Sequence, residues 1–273
     1  MKLLAIGDFH GTFPKKFERV IKKEKIELVV SNGDFFPFVY RDLWFKHCYW
    51  TDVNLWAVIG RKKYVSLVNE DLKRGEQVIR KLDALGVPVI TVVGNVDYIS
   101  LNDSSDERPS KYDLRRRDLF DRILKKYLNI KRFDYSFVQF GDYVFIGAYG
   151  GSFPGHVKSK SFRRYRKKLD VLFRRFNGRK ILFVSHNVPY NTKLDKISMK
   201  AHKAVRGKHY GSKLIRRVID KWQPVLHIGG HIHEGRGMQK LGKTLCVNPG
   251  AAHEGKAAVI NIKNGKIKVR FIK

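Results

Sequence analysis

The chain opens with MKLLAIGDFHG at residues 1–11, a short apolar run that leads into polar residues and glycine. The run from Leu3 to Ile6 has the length and composition of a buried strand, and Asp8 and His10 follow it. A signal peptide also begins with a positive charge and apolar residues, but this run is too short for one. We therefore interpret it as the first strand of an α/β fold, with functional side chains at its polar end.

The same pattern, a β-branched apolar run followed by a polar cluster, recurs along the chain. The five clusters are Asp8-Phe9-His10-Gly11, Gly33-Asp34, Gly94-Asn95-Val96-Asp97, Ser185-His186-Asn187 and Gly230-His231-Ile232-His233. Ligands of open α/β sheets bind outside the carboxyl ends of the strands. We therefore expect the carboxylate, amide and imidazole groups of these clusters to meet at one edge of the fold.

Apolar runs alternate with helical patterns, which predicts one α/β domain over residues 1–273, built from two packed mixed sheets with helices outside. Further strands are predicted at 28–30, 89–93, 181–184 and 225–228, and helices at 13–23, 71–85, 114–127, 159–176 and 212–221. Hairpins are predicted at 135–147 and at 257–272, the latter turning at Asn264-Gly265. Residues 99–113 have the composition of a surface loop. An aromatic-rich insert at 35–68 is expected to fill core or to form a dimer surface, rather than to stack bases.

Composition narrows the class of protein. The two cysteines, Cys48 and Cys246, are far apart, which argues against a disulfide framework and predicts a cytoplasmic protein. No apolar stretch approaches the roughly 18–20 residues that span a bilayer. The net charge of +31 predicts attraction to polyanions such as nucleic acid, with adaptation to an unusual ionic or thermal environment as the alternative. The oligomeric state stays open, a homodimer included.

The polar clusters supply oxygen and imidazole ligands without a thiolate, a mixture that suits Mn²⁺, Fe²⁺ or Zn²⁺. Asp8 and His10, like His231 and His233, are two residues apart, so both members of each pair can face one side of an extended segment. A carboxylate between two cations can bridge them at about 3.5–4 Å, and the pair lowers the pKa of a shared water. A single such cluster would be an ordinary strand end, but five in this order predict a two-metal site.

In this order the clusters resemble the motifs of the calcineurin-like metallophosphoesterases: Asp-x-His, Gly-Asp, Gly-Asn-His-Asp/Glu, His and Gly-His-x-His. The resemblance covers nearly the whole chain and extends to the turn Asn248-Pro249-Gly250-Ala251. It implies a four-layer αββα sandwich and two divalent ions, Mn²⁺ first, with Fe, Zn, Ni or Co as alternatives. It also implies the ligands: Asp8, His10 and His233 for one ion, Asn95, His186 and His231 for the other, and Asp34 between them.

The resemblance further implies hydrolysis of a phosphate ester by a metal-bound hydroxide, with Asp34, Asn95 and His186 as the catalytic residues. Val96 stands where many members carry a histidine that protonates the leaving group or steadies the phosphate. Small phosphodiesterases of the family often lack that histidine, so a phosphodiester is the expected substrate, either a small or cyclic nucleotide or polymeric nucleic acid. The alternative is a non-catalytic, strongly basic nucleic-acid-binding or scaffold protein that retains a structural metal site.

Two further segments bear on the substrate. Residues 158–180 hold eleven Lys/Arg and one Asp around apolar residues at helical spacing, which indicates either a solvated helix face or a helix that contacts phosphate backbone. Gly207 and Gly211 flank Lys208 and His209 just before a helix, the arrangement of an anion cradle. We therefore expect Lys208 and His209 to contact substrate and to replace the function missing at Val96. The alternative is a loop with a helix cap at Ser212.

Overall fold

The computed structural model describes residues 1–49, 51, 53–100, 112–114, 117–151, 154–201, 203 and 205–273. Within these residues, two six-stranded β-sheets pack face to face. The strands, in chain order, are β1 (Lys2–Ile6), β2 (Leu28–Ser31), β3 (Val89–Thr91), β4 (Ile130–Arg132), β5 (Phe137–Phe140), β6 (Tyr143–Ala148), β7 (Lys180–Asn187), β8 (Leu226–Gly230), β9 (Gly237–Leu241), β10 (Thr244–Asn248), β11 (Ala257–Lys263) and β12 (Lys266–Ile272).

Both sheets are mixed, as the sequence predicts. The first sheet has the order β12-β11-β1-β2-β3-β4, in which β1 to β4 are parallel and β11 runs antiparallel to β1. The second has the order β5-β6-β7-β8-β10-β9, with four parallel central strands and an antiparallel strand at each edge. The parallel strands of each sheet therefore bring several carboxyl ends to one edge, where the polar clusters lie.

Helices cover the outer face of each sheet. In the described part of the chain they are α1 (Lys16–Glu24), α2 (Arg41–His47), α3 (Leu55–Ile59), α4 (Arg61–Asp83), α5 (Leu119–Leu124), α6 (Lys160–Arg175) and α7 (Lys213–Trp222). The last two begin at serine caps: the Ser159 and Ser212 hydroxyls accept hydrogen bonds from the N–H groups of Phe162 and Ile215, at 3.2 and 3.3 Å. The helix cap at Ser212, which the sequence offered as the alternative reading of this loop, is present, and contact of Lys208 and His209 with substrate stays a prediction.

Alternate side chains of the strands pack in opposite directions and so separate the layers. Leu3 and Ala5 of β1 face the second sheet, where they meet a cluster that includes Val184 of β7. The intervening Leu4 and Ile6 face α1 and α4 on the outside of the first sheet. A third cluster lies between the second sheet and helices α6 and α7. The arrangement is the four-layer αββα sandwich that the resemblance implies.

Some boundaries differ from the prediction. Helix α4 begins at Arg61, ten residues before the predicted start, because its buried stripe already includes Tyr64 and Val68. The helix predicted at 114–127 is the shorter α5, and residues 115 and 116 lie outside the described part. Strand β4 is not predicted, since three residues are too few for a pattern. Of the loop predicted at 99–113, residues 101–111 lie outside the described residues.

The aromatic insert at 35–68 forms α2, α3 and the start of α4. Phe35, Phe36 and Tyr40 are fully buried in the core outside the first sheet, as predicted, whereas Phe45 and Tyr49 are 40% and 37% exposed. Its use as a dimer surface stays a prediction. Among the helices that the structure describes, none combines the length and hydrophobicity that a bilayer crossing requires.

Candidate metal centre

The seven residues predicted as metal ligands meet where strands of both sheets end. Asp8 and His10 follow β1, Asp34 follows β2 and Asn95 follows β3, while His186 lies at the end of β7, and His231 and His233 follow β8. The first sheet thus supplies four of the side chains and the second sheet three. Asp8, Asp34 and His186 are buried, and the remaining residues of the set are partly exposed.

The first group of side chains lies around His10. Its Nε2 atom is 3.3 Å from His233 Nε2, and His233 Nε2 is 3.5 Å from Asp8 Oδ1. Ligands at 2.0–2.2 Å from one cation stand about 3.0–3.5 Å from one another. These three side chains therefore have the mutual spacing of ligands to a common ion.

The second group lies around His186. Its Nε2 atom is 2.8 Å from Asn95 Oδ1 and 3.2 Å from His231 Nδ1. The other ring nitrogen, Nδ1, donates a hydrogen bond to the main-chain oxygen of Asn32 at 2.8 Å. Because a carbonyl oxygen can only accept, Nδ1 carries the proton and Nε2 presents a lone pair to the group.

One carboxylate oxygen connects the two groups. Asp34 Oδ2 is 3.8 Å from His10 Nε2 in the first group and 3.4 Å from His186 Nε2 in the second. The other oxygen, Oδ1, accepts a hydrogen bond from the N–H of Val96 at 3.0 Å, which fixes the orientation of the carboxylate. A single oxygen that faces both groups has the position of a bridging ligand.

The electrostatics of these side chains fit two cations. Burial lowers the pKa of His10 and lowers that of His231 to about 4, so both rings offer lone pairs at neutral pH. Burial also opposes protonation of His186 and His233, but the neighbouring Asp34 and Asp8 carboxylates raise the pKa of both rings. Facing lone pairs beside buried carboxylates form a donor set that divalent cations would satisfy.

The Asp97 carboxylate connects the turn at Asp34 to the loop after β3 through hydrogen bonds from main-chain N–H groups. Asp97 accepts them from the N–H groups of Asp34, Phe35 and Gly94 at 3.0, 2.8 and 2.7 Å. Burial, followed by the charge of Asp34, raises the pKa of Asp97 to about 7. The last residue of the Gly-Asn-Val-Asp cluster therefore holds the Asp34 turn against the loop after β3.

Asn32 is a site residue that the sequence analysis did not identify. Its buried amide donates to Asp8 Oδ2 at 3.3 Å, and its main-chain oxygen orients His186. Any residue at position 32 would provide this main-chain oxygen, so the sequence pattern could not identify its contact with His186.

His253 is a second such residue. It lies in a single 3-10 turn, Ala252–Glu254, a few residues after the turn at Asn248. Its ring centroid is 5.0 Å from that of His10 and 5.2 Å from that of His233. In the sequence, the one indication of this role is that a histidine closely follows the Asn248-Pro249-Gly250-Ala251 turn.

The structure orients one of the two predicted substrate residues. His209 Nδ1 is 2.7 Å from Oδ1 of Asp195, a carboxylate that is fully buried and also accepts from the N–H of Gly211. Lys208 is fixed through its main chain, whose oxygen accepts from the N–H of Ile197. At Gly235, a Cβ atom would lie 1.9 Å from the Leu194 carbonyl oxygen, so the loop that carries His209 packs closely on the turn that begins at His233.

Comparisons with known proteins agree with this geometry. The family model for "Metallophosphoesterase, calcineurin superfamily" matches residues 1–272. The uncharacterised protein MJ1162 of Methanocaldococcus jannaschii is 31% identical over 256 residues, which cover 91% of this chain and 88% of that protein.

Solved structures share the fold. One crystal structure has a TM-score of 0.72 at 21% identity and covers 100% of this chain and 99% of its own. TT1561 of Thermus thermophilus has a TM-score of 0.54 at 15% identity, with 98% and 97% covered. A dimetal phosphatase from Danio rerio has a TM-score of 0.55 at 12% identity, with 100% and 96% covered. From the match along residues 1–272 and the relative that is 31% identical, we conclude that the chain belongs to the metallophosphoesterases of the calcineurin superfamily, metal-dependent hydrolases of phosphoric ester bonds.

Proposed function

We propose that this protein is a two-metal phosphodiesterase that hydrolyses nucleotide or nucleic-acid phosphodiesters. Asp8, His10 and His233 would hold one ion, Asn95, His186 and His231 would hold the other, and Asp34 would contact both. Mn²⁺ is the first candidate, with Fe, Zn, Ni and Co as alternatives, because oxygen and imidazole ligands accept all of them. The observation that carries the proposal is the position of Asp34 Oδ2, which faces His10 in one group and His186 in the other.

The residues of the chain have separate tasks in this proposal. When bound, the two ions would lower the pKa of a coordinated water and neutralise charge on the phosphoryl group. Asp34 fixes the spacing of the pair, since the Val96 N–H holds its second oxygen in place. Asn95 and His186 define the more buried of the two positions. His10 and His233 are 21% and 30% exposed at the side chain, so substrate approaches from their side.

The preference for a diester follows from Val96. Its side chain is buried and apolar, so it cannot donate a proton to a leaving group. Esters with poor leaving groups depend most on such a donor, whose contribution is typically about 10²–10⁴-fold. A site without this histidine can still be functional in two ways. Either the leaving group of the substrate needs little protonation, or another part of the chain donates the proton.

Asp34 provides the direct test. We expect Asp34→Ala to lower turnover of bis-p-nitrophenyl phosphate with Mn²⁺ by about 10²–10³-fold or more, because the carboxylate that joins the two ions is lost. The matched control is Asp142→Ala, at an exposed turn between β5 and β6. Turnover and metal content per chain are measured for both variants.

Two results contradict the proposal in different ways. If Asp34→Ala hydrolyses the diester as fast as the wild type, the two-metal mechanism is wrong. If the wild type hydrolyses neither the diester nor p-nitrophenyl phosphate with any of Mn²⁺, Fe²⁺, Zn²⁺, Ni²⁺ or Co²⁺, the non-catalytic scaffold with a structural metal is supported instead.

We also propose that Lys208 and His209 bind the substrate phosphate. The hydrogen bond to Asp195 places the proton on His209 Nδ1, and the side chain is 29% exposed, so its second nitrogen can reach a ligand. The close packing of Leu194 on Gly235 supports a position of this loop beside His233.

His209→Ala tests this contact. We expect KM for the diester to rise about 10-fold with metal content unchanged, since a hydrogen bond to a charged group is worth about 1.5–3 kcal/mol. The control is His156→Ala, at an exposed residue outside the loop. An unchanged KM in His209→Ala would remove His209 from the substrate site.

A further inference from the structure

His253 lies beside the first group of candidate ligands but belongs to none of the five polar clusters. One ring nitrogen each of His10, His233 and His253 lie within 4.8 Å of one another. The three rings meet in T-shaped contacts, with centroids 5.0–5.2 Å apart. Imidazoles that converge in this way share the space in which one ion would sit.

The main chain holds His253 firmly in this position. The N–H of Ala252 donates to the Gly7 oxygen at 2.8 Å, and the N–H of His253 approaches the Asp8 oxygen at 3.3 Å. The 3-10 turn is therefore bonded directly to the loop that presents Asp8. The ring is preorganised, because its backbone is tied to the same residues that carry the candidate ligands.

The state of the ring decides between a ligand and a proton donor. Nδ1 of His253 is 2.9 Å from the main-chain oxygen of Asp8, which can only accept, so Nδ1 carries the proton. In that tautomer the lone pair lies at Nε2. A backbone carbonyl on the other ring nitrogen is the usual support of a metal-binding histidine, and His186 has the same support from Asn32.

We propose that His253 is an additional ligand of the ion held by Asp8, His10 and His233, an inference that rests on the proposed two-metal function. That position would have five protein ligands, counting the Asp34 bridge, against four at the position of Asn95, His186 and His231. The two positions are therefore unequal. The ion beside His253 would be the more tightly held of the two, because it has one protein ligand more.

Titration of the metal-free protein with Co²⁺ tests whether His253 is a ligand. Binding is monitored by visible absorption and by calorimetry. We expect His253→Ala to weaken the tighter of two binding phases by about 10- to 100-fold or more, the effect of disturbing a ligand shell, and to change the absorption of that phase. The weaker phase should stay within about twofold of the wild type. His47→Ala, a histidine on α2, is the matched control.

A second variant separates ligation from support of the Asp8 loop. His253→Gln retains an amide N–H for the Asp8 oxygen but has no imidazole nitrogen, so we expect it to weaken the tighter phase as His253→Ala does. Equal melting temperatures of the two variants and the wild type in chelator would show that the metal-free fold is intact. If His253→Gln restores wild-type binding, His253 supports the loop and the inference is wrong.

The result for Asp34→Ala identifies which proposal has failed. If that variant loses Co²⁺ affinity in both phases while His253→Ala and the wild type titrate identically, only the role of His253 is overturned. If Asp34→Ala itself binds two Co²⁺ ions like the wild type, the two-metal function falls.

Discussion

Four residues of the candidate metal centre have main-chain φ angles in the left-handed region: Asp8 at 54°, His10 at 42°, Asp34 at 57° and His231 at 70°. Residues other than glycine adopt this region at a cost of about 1–2 kcal/mol each. Aspartate and histidine tolerate it better than most residues, but only the surrounding structure makes it persist. The turns that direct these side chains toward one another are thus strained, and packing elsewhere offsets that strain.

Gly94 packs so closely against Asp34 that a substitution there tests whether the position of the Asp34 carboxylate matters. A Cβ atom at this position would lie 2.0 Å from Asp34 Oδ1, so a larger residue must displace the Asp34 carboxylate. We expect Gly94→Ala to lower diester turnover by about 10²-fold, the effect of a displacement near 1 Å in a preorganised site.

Gly151→Ala is the control for this change, because nothing lies within 4 Å of its added Cβ atom. Turnover and Co²⁺ affinity are measured for both variants. Wild-type turnover in Gly94→Ala would mean that the position of Asp34 Oδ1 does not matter for catalysis.

At the residue scale, the sequence identified the side chains that the structure brings together. These side chains are aspartates, an asparagine and histidines that directly follow apolar runs. Because the ends of the strands meet at one edge, the local pattern is enough to predict that they lie close together. Asn32 was missed because its contribution to His186 comes from a main-chain oxygen. His253 was missed because it follows a turn after β10 rather than a strand end directly, so only the fold brings it near His10.

At the scale of elements, Gly75 shows where packing overrides helix propensity. It lies in α4, and an added Cβ atom would be 2.1 Å from Cδ1 of Phe36, two residues after Asp34. Alanine in place of glycine normally stabilises a helix interior by about 0.5–1 kcal/mol. Here the clash with a buried ring reverses the sign, so we expect Gly75→Ala to lower the free energy of unfolding by about 1–3 kcal/mol.

Ser66→Ala, at an exposed position of the same helix, is the matched control and should change the free energy of unfolding by less than about 0.5 kcal/mol. Urea denaturation measures both variants. A stabilised Gly75→Ala would show that Phe36 has room to move.

Local patterns predicted most of the elements but not all of their ends. The strands that form the sheet centres are apolar runs, and α6 and α7 have serine caps, so their positions follow from sequence. The start of α4 and strand β4 depend on tertiary packing. Tyr64 is buried because it contacts Tyr40, with ring centroids 5.8 Å apart. Asp71 of α4 accepts hydrogen bonds from the Val39 N–H and the Tyr98 hydroxyl, each at 2.8 Å.

At the scale of the whole molecule, the net charge is +31, and α6 carries many of the basic side chains. Phe162, Leu169 and Phe173 are buried beneath this helix, as the sequence predicts, and basic side chains cover its outer face. We propose that this face binds the phosphate backbone of nucleic acid through charge, without reading sequence.

Replacing three exposed residues of that face, Arg163, Lys167 and Arg174, by Gln tests the proposal. We expect weaker binding of double-stranded DNA and a plot of log K against log salt that is shallower by up to about 0.9 for each phosphate that the variant no longer neutralises. The control replaces Lys263, Lys266 and Lys268, exposed on the β11–β12 hairpin, by Gln. Equal slopes for the two triple variants would mean that α6 is an ordinary solvated surface.

Each ion position of the proposed centre takes side chains from both sheets, and His10 meets its partner His233 across 223 residues of chain. On the ribosome, β1 emerges long before β8, so a nascent chain that ends before β8 lacks His231 and His233, one donor of each proposed ion position. Contacts of such long range form late in folding, after the chain entropy of closing the intervening loop has been overcome. At the proposed centre, capture of metal would therefore follow synthesis of β8 and the turn after it, so copies of the chain truncated before β8 would not withdraw metal from the cell.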